Sequence, residues 1–326
     1  MLITRTPLRI SIGGGGTDLP SFYRRRGGFV ISAAINKYMF IALNRTFTDD
    51  YLLKYSELER VRSIDAIGHR IIREVLRRHE IGPGVEVVST ADIPSGTGLG
   101  SSGSFTVGLL RAIYAHKREH VTASALAEEA AHIEIDVLGE PVGKQDQYIA
   151  AFGGLTCFEF RPDDQVRVTP LAISQETLHT LEEHLLLFFT GYARPAAAIL
   201  SDQRARTDDE DTAMLDNLER TKDLGLRIRV ALESGEPEAF GRLMHEHWES
   251  KRRRSQGMSN GTIDAWYERG LESGAIGGKL VGAGTGGFLM FYAQSPSAVR
   301  QAMAAEGLPE TRFQFDLDGT SVIVRD

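Results

Sequence analysis

A glycine-rich stretch, PSGTGLGSSGS at residues 94–104, combines an unusually free backbone with hydroxyl side chains in a pattern that could bind phosphate. Gly96, Gly98 and Gly100 are separated by single residues. Such a concentration indicates a backbone that bends sharply or approaches a ligand closely, because fixing a glycine is entropically costly. The strand-like VEVVSTADI precedes the stretch and the helix-like SFTVGLLRAIYAHKRE follows it. The glycines therefore lie at a helix N-terminus, where free amides and the helix dipole favour an anion.

The same loop also has a purely structural interpretation. It is not a Walker A motif, because no lysine follows its glycines. If the loop binds phosphate, Ser101 and Ser102 are placed to ligate magnesium or to bond phosphate oxygens. If it does not, the stretch is a serine-capped helix that follows a turn. The loop by itself leaves both interpretations open.

A glutamate on a predicted helix is the second group with a chemical signal. In TASALAEEAAHIEIDVL, Glu134 falls on the apolar stripe that contains Ala127, Ala131 and Leu138. A carboxylate that faces the interior is costly unless it is paired with a cation or bound to a metal. The pattern predicts a metal ligand, with a buried salt bridge or a different helix phase as the alternatives.

A third cluster, GGKLVGAGTGGFLMFYA at residues 277–293, contains a literal GxGxxG at Gly282, Gly284 and Gly287. The dinucleotide-binding form of this motif requires a following helix and a further strand that carries an acidic residue. Here the strand-like GFLMFYA follows, and too little chain remains for such a domain. A close backbone approach to a partner loop or a ligand is the better interpretation.

The elements that must position these groups alternate between strands and helices. LITRTPLRISI and FVISAAINKYMFIALNRT are strand-like, and apolar residues at helical spacing predict a helix over residues 63–80. QYIAAFGGLTCFEF is predicted to be strand. The second half begins with the strand-like HLLLFFTGY and continues mainly as helices. The predicted fold class is α+β.

Length and composition narrow the class of protein further. The 326 residues suggest about two domains, and the polar stretch at residues 161–177 divides them into 1–170 and 171–326. A net charge of −7 argues against a general nucleic-acid binder. The sequence shows neither a signal peptide nor an apolar run that could span a membrane, so no membrane partner is expected. The single cysteine, Cys157, excludes an internal disulfide and favours a cytoplasmic location.

Three motifs together resemble the GHMP small-molecule kinases, which include galactokinase, homoserine kinase and mevalonate kinase. PSGTGLGSSGS resembles the second family signature and departs from it only at Gly103 and Ser104, where alanines are usual. RTPLRISIGGGGTD at residues 5–18 resembles the first signature, and KLVGAGTGGF at residues 279–288 resembles the third. The resemblance implies an N-terminal domain like ribosomal protein S5 domain 2 and a ferredoxin-like C-terminal domain.

The first motif indicates a subgroup. Galactokinases carry a Glu-His pair where this chain has Gly15 and Gly16, and the GGGGTD version resembles bacterial D-glycero-D-manno-heptose 7-phosphate kinases and related fucokinases. GKQDQYIAAFGGL, FFTGYAR and GAIGGKLVGAG are also similar to the heptose kinase group. This resemblance implies transfer of the γ-phosphate of ATP to the anomeric hydroxyl of the heptose 7-phosphate.

The resemblance also implies roles for single residues. Asp146 in GKQDQ matches the catalytic base, and Arg9 matches the cation beside it. A nearby cation keeps a carboxylate ionised and stabilises the phosphoryl group in transfer. Asp18 is placed to accept hydrogen bonds from sugar hydroxyls. The structural alternatives are a turn aspartate for Asp146 and a structural salt bridge for Arg9.

The remaining predicted site residues form three groups. Magnesium, which prefers oxygen ligands, would be held by Ser102, Glu134 and the ATP phosphates. The residues predicted to bind the ATP phosphates are Gly96, Gly98, Leu99, Gly100, Ser101, Ser102 and Gly103. The residues predicted to bind the acceptor are Gly15, Gly16, Thr17, Asp18, Gly143, Arg194, Gly284 and Thr285.

The acceptor's own phosphate requires cations that the sequence does not single out. Arg194, His247, Lys251 and the arginines after it are candidates, and each can equally be a surface charge. Two functions compete with the heptose kinase: a fucokinase that acts on a free sugar, and a non-catalytic GHMP-like sensor. The predicted partners are ATP and a sugar phosphate, with no nucleic acid and with a homodimer as one candidate assembly.

Overall fold

The first half of the chain is built on a mixed β-sheet. A computed structural model describes residues 1–191, 197–255, 257–282, 284 and 286–325. The strands of the first half are β1 (Leu2–Gly13), β2 (Gly28–Arg45), β3 (Tyr51–Lys54), β4 (Leu58–Val61), β5 (Val85–Ala91), β6 (Leu155–Phe160) and β7 (Val166–Pro170).

The long strand β2 organises this sheet. Its first residues, Gly28–Ala33, pair with β6, and its later residues, Met39–Arg45, pair with β5. Strand β1 runs antiparallel along both parts of β2. The pairing of β1 with β2 shifts register between Pro7 and Leu8. Beyond that shift Leu8 and Ile10 are buried on one face of β1, so the side chain of Arg9 projects from the other face.

Helices of the first half pack against this sheet. The longest of them, which begins directly after the glycine-rich loop, is buried along most of its length against β1 and β2. These helices are α1 (Pro20–Arg26), α2 (Arg70–Arg78), α3 (Ser101–Lys117), α4 (Ala123–His132) and α5 (Gln145–Phe152).

One local prediction for this half was correct only in part, and another was wrong. The helix expected over residues 63–80 is a single 3₁₀ turn followed by α2, because the Glu59 carboxylate accepts the amides of Gly68 and His69 between them. QYIAAF is helical rather than extended: it forms α5, which begins where the Asp18 carboxylate accepts the Gln145 amide at 3.1 Å. The strand predicted in LTCFEF is confirmed as β6.

The second half combines a small antiparallel sheet with helices. Its elements are α6 (Gln175–His184), β8 (Leu185–Phe189), α7 (Ala197–Asp208), α8 (Thr212–Glu233), α9 (Pro237–Lys251), α10 (Gly261–Glu272), β9 (Ala275–Leu280), β10 (Phe288–Ala293) and α11 (Pro296–Ala305).

The strand order of the second sheet is that of a ferredoxin-like layer. The sheet runs β8-β10-β9, and after α11 the chain returns so that Glu310 bridges to Phe188 on the free edge of β8. The order of these segments is therefore fourth, first, third, second, which is the ferredoxin-like arrangement. The predicted α+β class is confirmed in both halves.

The two halves share a hydrophobic core and are not joined by a linker alone. Helix α8 contacts β1 and β2, and its Ile228 is fully buried in a core that also contains Ile10 and Met290. The final strand, β11 (Ser321–Arg325), pairs with β1 in the first sheet. The division at residue 170 stays a prediction, but the last segment crosses back to the first half. Within the described residues, no helix is long and apolar enough to cross a membrane.

This shared core predicts cooperative unfolding. Ile228→Ala should lower the free energy of unfolding by about 2–5 kcal/mol, because it leaves a cavity between α8 and β1. Val230→Ala on the same helix is the matched control: its side chain is 63 % exposed, and we expect a change within about 0.5 kcal/mol. Urea denaturation followed by circular dichroism measures both. A loss confined to one of two separate transitions would show that the halves unfold independently.

Candidate active site

Two of the glycine-rich segments pack backbone against backbone. A Cβ added to Gly98 would lie 2.6 Å from the Val281 carbonyl oxygen, and one added to Gly287 would lie 2.1 Å from the Thr97 carbonyl oxygen. A Cβ on Gly282 would come within 2.5 Å of the Gly98 Cα. Such distances exclude any side chain. The close backbone approach predicted for the third glycine cluster is therefore confirmed, and its partner is the loop that precedes α3.

The loop before α3 presents an uncapped helix N-terminus. Gly96, Gly98 and Gly100 have φ angles of 75°, 84° and 77°, which other residues rarely adopt. Gly100 is the N-cap of α3, and no side chain among the described residues caps the helix. The serine-capped interpretation is therefore wrong, and the first amides of α3 remain available to an anion. Ser101 and Ser102 line the cavity described below.

Leu99 and Gly103, also predicted to bind phosphate, have packing roles as well. The Leu99 side chain is fully buried, and its carbonyl oxygen accepts the Arg9 amide at 3.0 Å. A Cβ on Gly103 would lie 2.7 Å from the Asp146 Cβ, so the absence of a side chain lets α5 approach α3. Ser104, which replaces the usual alanine, donates its hydroxyl to the Pro7 carbonyl at 2.7 Å. These residues fix the loop relative to β1 and α5.

Arg9 and Asp146 form a bidentate ion pair at the centre of the site. Arg9 Nε donates to Asp146 Oδ1 at 2.7 Å, and Nη2 donates to Oδ2 at 3.0 Å. The remaining terminal nitrogen of Arg9 donates to the Gly98 carbonyl oxygen. Arg9 is 7 % exposed, whereas the Asp146 side chain is 26 % exposed toward the cavity. The pair joins β1, the loop before α3 and the first turn of α5, and it leaves the carboxylate accessible.

Asp18 lies beside this pair and holds α5 in place. Its Oδ1 accepts the Gly16 amide at 3.0 Å and its Oδ2 accepts the Gln145 amide. Burial, followed by the nearby negative charge of Asp146, raises the pKa of Asp18 above its ordinary value. A Cβ on Gly143 would lie 2.0 Å from Asp18 Oδ2, which explains glycine at that position.

The neighbouring predicted acceptor residues divide into two groups. Gly15 and Gly16 line the cavity with Asp18 and Gly143. Thr17 is fully buried, and its hydroxyl donates to the Gly14 and Phe29 carbonyls at 2.8 and 3.0 Å, so it shapes the turn from within.

Gly284 also lines the cavity, whereas Arg194 and Thr285 lie outside the described residues.

Glu134 is buried as its helical stripe predicts. Only 1 % of the residue is exposed, and it lies in a π-helical turn, Ile133–Val137, that continues α4. Burial raises the pKa of Glu134 to about 7, and hydrogen bonds from Gln147, Thr106 and Ser102 oppose that rise. None of the salt bridges among the described residues involves this carboxylate, so the buried salt bridge considered as an alternative is wrong.

The surroundings of Glu134 fit a magnesium ion. Its carboxylate and the Ser102 hydroxyl are neighbouring oxygen donors, and Ser102 reaches the cavity. The described residues contain no group of three or more His, Cys, Asp or Glu that could hold a metal by themselves. Magnesium usually keeps several waters and takes further oxygens from substrate phosphates, so a carboxylate and a hydroxyl suffice.

One cavity of about 830 Å³ is lined by Arg9, Asp146 and Asp18. It is also lined by Tyr55, His69 and Phe105, whose rings pack together at centroid distances of 4.7 and 4.9 Å. The loop before α3 and the glycines that follow β1 complete this part of the lining. The cavity therefore has room for a nucleotide and a second ligand beside the Arg9–Asp146 pair.

A group of buried cations lines the same cavity, and sequence reasoning found it only in part. We define the buried basic cluster as Lys251, Arg254 and Lys279 with the adjacent His247. His247 and Lys251 were candidates from the sequence, whereas Lys279 was missed. The available signal was a single lysine inside the apolar strand β9. Arg252 and Arg253 of the same basic run instead pair with Glu249 and are more exposed.

The contact between the two glycine loops gives a direct test. Gly98→Ala should push the Val281 carbonyl away and lower kcat/KM for ATP about 100-fold, the scale of a displacement near 1 Å. Gly307→Ala is the matched control, because it has a similar φ of 76° but no atoms within 4 Å of the added Cβ. It should lose only about 1–2 kcal/mol of stability. Equal kinetics for the two variants would contradict the packing role of Gly98.

Two regions of the chain match the GHMP kinases: residues 66–154 match their N-terminal domain and residues 228–308 match their C-terminal domain. The chain is 29 % identical over 304 residues to a D-glycero-α-D-manno-heptose 7-phosphate kinase of Campylobacter jejuni, covering 89 % of this chain and 88 % of that protein. It is 27 % identical to an L-fucokinase/L-fucose-1-P guanylyltransferase of Bacteroides fragilis, covering 95 % of this chain and 37 % of that protein.

The fold is shared with a solved structure over its whole length. The crystal structure of a D-glycero-D-manno-heptose 1-phosphate kinase from Bacteroides thetaiotaomicron has a TM-score of 0.81, with 24 % identity and full coverage of both chains. Both domain matches and this fold agree with the resemblance seen in the sequence. The chain belongs to the GHMP kinase family and is an ATP-dependent phosphotransferase that phosphorylates an alcohol group.

Proposed function

We propose that this kinase transfers the γ-phosphate of ATP to the anomeric hydroxyl of D-glycero-D-manno-heptose 7-phosphate and so forms the 1,7-bisphosphate. The observation that carries the proposal is the bidentate Arg9–Asp146 pair, which faces the cavity between the uncapped N-terminus of α3 and the glycines after β1. The relative from Campylobacter jejuni supports the choice of acceptor.

Asp146 is the proposed base. As the anomeric oxygen bonds to the γ-phosphorus, its proton passes to an Asp146 oxygen and the bond from phosphorus to the β,γ-bridging oxygen breaks, releasing ADP. A carboxylate is a weak base for a sugar hydroxyl, so the proton moves late and in concert with phosphoryl transfer.

Arg9 gives this carboxylate its position. The guanidinium binds both carboxylate oxygens, which fixes the rotation of the Asp146 side chain. Because Arg9 also donates to the Gly98 carbonyl, the cation lies next to the loop proposed to hold the phosphates. There it can stabilise negative charge on the phosphoryl group in transfer.

Magnesium, which the proposal assigns to Glu134 and Ser102, would neutralise charge on the β- and γ-phosphates when bound. The α3 amides after Gly100 and the Ser101 hydroxyl would bind the phosphates from the other side. Asp18 would accept hydrogen bonds from sugar hydroxyls, as its position beside Gly15, Gly16 and Gly143 allows. The base of the nucleotide would lie against the rings of Tyr55, His69 and Phe105, which line the cavity.

A panel of acceptors with Mg-ATP tests the proposed function: D-glycero-D-manno-heptose 7-phosphate, mannose 6-phosphate, fucose, galactose and mevalonate. We expect turnover with the heptose 7-phosphate and a new anomeric phosphate in the phosphorus NMR spectrum. Preferred turnover of fucose or galactose would show that the acceptor is a free sugar, while the assignment as a kinase would stand. Binding of an acceptor without turnover of any acceptor would favour the non-catalytic sensor.

A further inference from the structure

The buried basic cluster is a concentration of positive charge that forms no ion pair with a carboxylate among the described residues. Lys251, Arg254, Lys279 and His247 are 7, 4, 2 and 2 % exposed, yet all four line the cavity. Burying an ion costs several kcal/mol unless it is paired. The question is therefore whether the hydrogen-bond partners of these four residues include a negatively charged group.

Neutral groups are the only hydrogen-bond partners recorded for the cluster in the described part of the chain. Lys251 donates to the Leu280 and Gly282 carbonyls, and Lys279 donates to the Ile12 carbonyl at 2.9 Å. Arg254 donates to the side-chain oxygens of Asn217 at 2.8 Å and Thr221 at 2.7 Å. Its longer hydrogen bonds go to the Gly15 carbonyl at 3.3 Å and to the Gln203 side-chain oxygen at 3.5 Å.

The pKa values of the cluster reflect its burial among neutral partners and like charges. Burial, together with repulsion from Arg9 and Arg254, lowers the pKa of Lys279 to about 7. Burial also lowers the pKa of Lys251 well below its ordinary value, and repulsion from the neighbouring cations, Lys279 first, adds to this shift. Burial lowers the pKa of Arg254 to about 10, although Asp18 acts in the opposite direction. A bound anion would reverse these shifts.

His247 provides a second indication of a ligand site. Its Nδ1 lies 3.4 Å from Lys279 Nζ, and where the Lys279 ammonium donates to Nδ1, the neutral ring carries its proton on Nε2. Burial lowers the pKa of His247 well below its ordinary value, which keeps the ring neutral. Nε2 is buried and has no hydrogen-bond partner among the described residues. Buried donors in native proteins are nearly always satisfied.

We infer that the buried basic cluster binds the phosphate that the sugar acceptor already carries, an inference that rests on the proposed function. The cluster lies on the acceptor side of the cavity: a Cβ on Gly16 would lie 2.5 Å from Arg254 Nη1, and Lys279 holds the end of β1 through Ile12. A dianionic phosphate supplies the missing counter-charge and accepts several hydrogen bonds at once.

The assignment makes acceptor binding depend on the charge of Lys279. The groups facing Lys279 are Arg9 from β1, His247 and Lys251 from α9, and Arg254 just beyond it. A bound dianion raises the pKa of Lys279, so binding takes up a proton. Affinity for the phosphorylated acceptor should therefore fall by up to about tenfold per pH unit above pH ~7, while the acceptor phosphate itself, with a pKa near 6, stays dianionic.

Calorimetry without nucleotide tests the inference on the intact protein. D-glycero-D-manno-heptose 7-phosphate and the same heptose without phosphate are titrated into wild type, Lys279→Met and Lys251→Met. Each variant should bind the phosphorylated sugar about 30-fold more weakly, the effect of losing one charged hydrogen bond, and the unphosphorylated sugar within about twofold of wild type. Lys222→Met is the matched control, since Lys222 also donates to two carbonyls, those of Arg26 and Gly27, but outside the cavity.

The outcomes separate this inference from the proposed function. Unchanged binding of the phosphorylated sugar in both variants would overturn the inference, even if wild type turns that sugar over. Weaker binding of ATP instead would also overturn it, because the cluster would then hold the nucleotide. Cluster-dependent binding without turnover would support the inference and remove the proposed reaction. If the variants do not fold, the test is proton uptake by the wild-type protein on binding the phosphorylated sugar. Titrations in buffers of different ionisation enthalpy measure this uptake, and its absence would contradict the inference.

Discussion

The ion pair between Arg9 and Asp146 is the constraint that aligns the rest of the site. The two residues are 137 positions apart, yet both oxygens of the carboxylate meet nitrogens of one guanidinium. Their contact requires β1, the loop before α3 and the start of α5 to converge within one side-chain length. Each approach depends on a missing side chain. Gly103 lets α5 reach α3, and a Cβ on Gly100 would lie 3.0 Å from the Arg9 Cγ.

The charge distribution divides the cavity into regions with different tasks. Under the proposed function, the nucleotide binds at the aromatic rings and the N-terminus of α3, and phosphoryl transfer occurs beside the Arg9–Asp146 pair. The acceptor binds at Asp18 and the buried basic cluster. Asp18 connects these regions, because its carboxylate lines the cavity and also accepts the Gln145 amide at the start of α5. Binding of an acceptor can therefore influence the position of Asp146 through one shared element.

Buried cations that form no ion pair among the described residues cost stability that a bound anion can restore. Lys251 and Lys279 donate to backbone carbonyls of Leu280 and Ile12, which are weaker partners than an anion. Preorganised cations that await a phosphate are useful to a kinase, because the cost of arranging them is met during folding rather than at each binding event. The same logic applies to Glu134, whose buried carboxylate has no cation beside it among the described residues.

The sequence predicted the chemistry of single positions better than the contacts between distant ones. The burial of Glu134 followed from its helical stripe, and the three glycine clusters and the resemblance identified Arg9, Asp18 and Asp146 as candidates. The partner of each could not be derived from spacing, since Arg9 meets Asp146 only because β1 and α5 pack side by side. QYIAAF was predicted as strand because a short apolar run has no distinctive period, and its helix depends on a cap from Asp18. Lys279 was missed because nothing in β9 shows that its ammonium reaches a cavity lined by other strands.

A double-mutant cycle on turnover tests the central claim, that Arg9 acts through Asp146. The cycle compares wild type, Arg9→Met, Asp146→Asn and the double variant with saturating Mg-ATP and acceptor, after ATP binding is confirmed for each. Asp146→Asn should lose at least ~100-fold in kcat, the usual contribution of a general base. If the pair is one functional unit, the double variant should lose little more than the worse single variant, because the second change removes a partner already disabled. Independent losses that multiply in the double variant would contradict the claim.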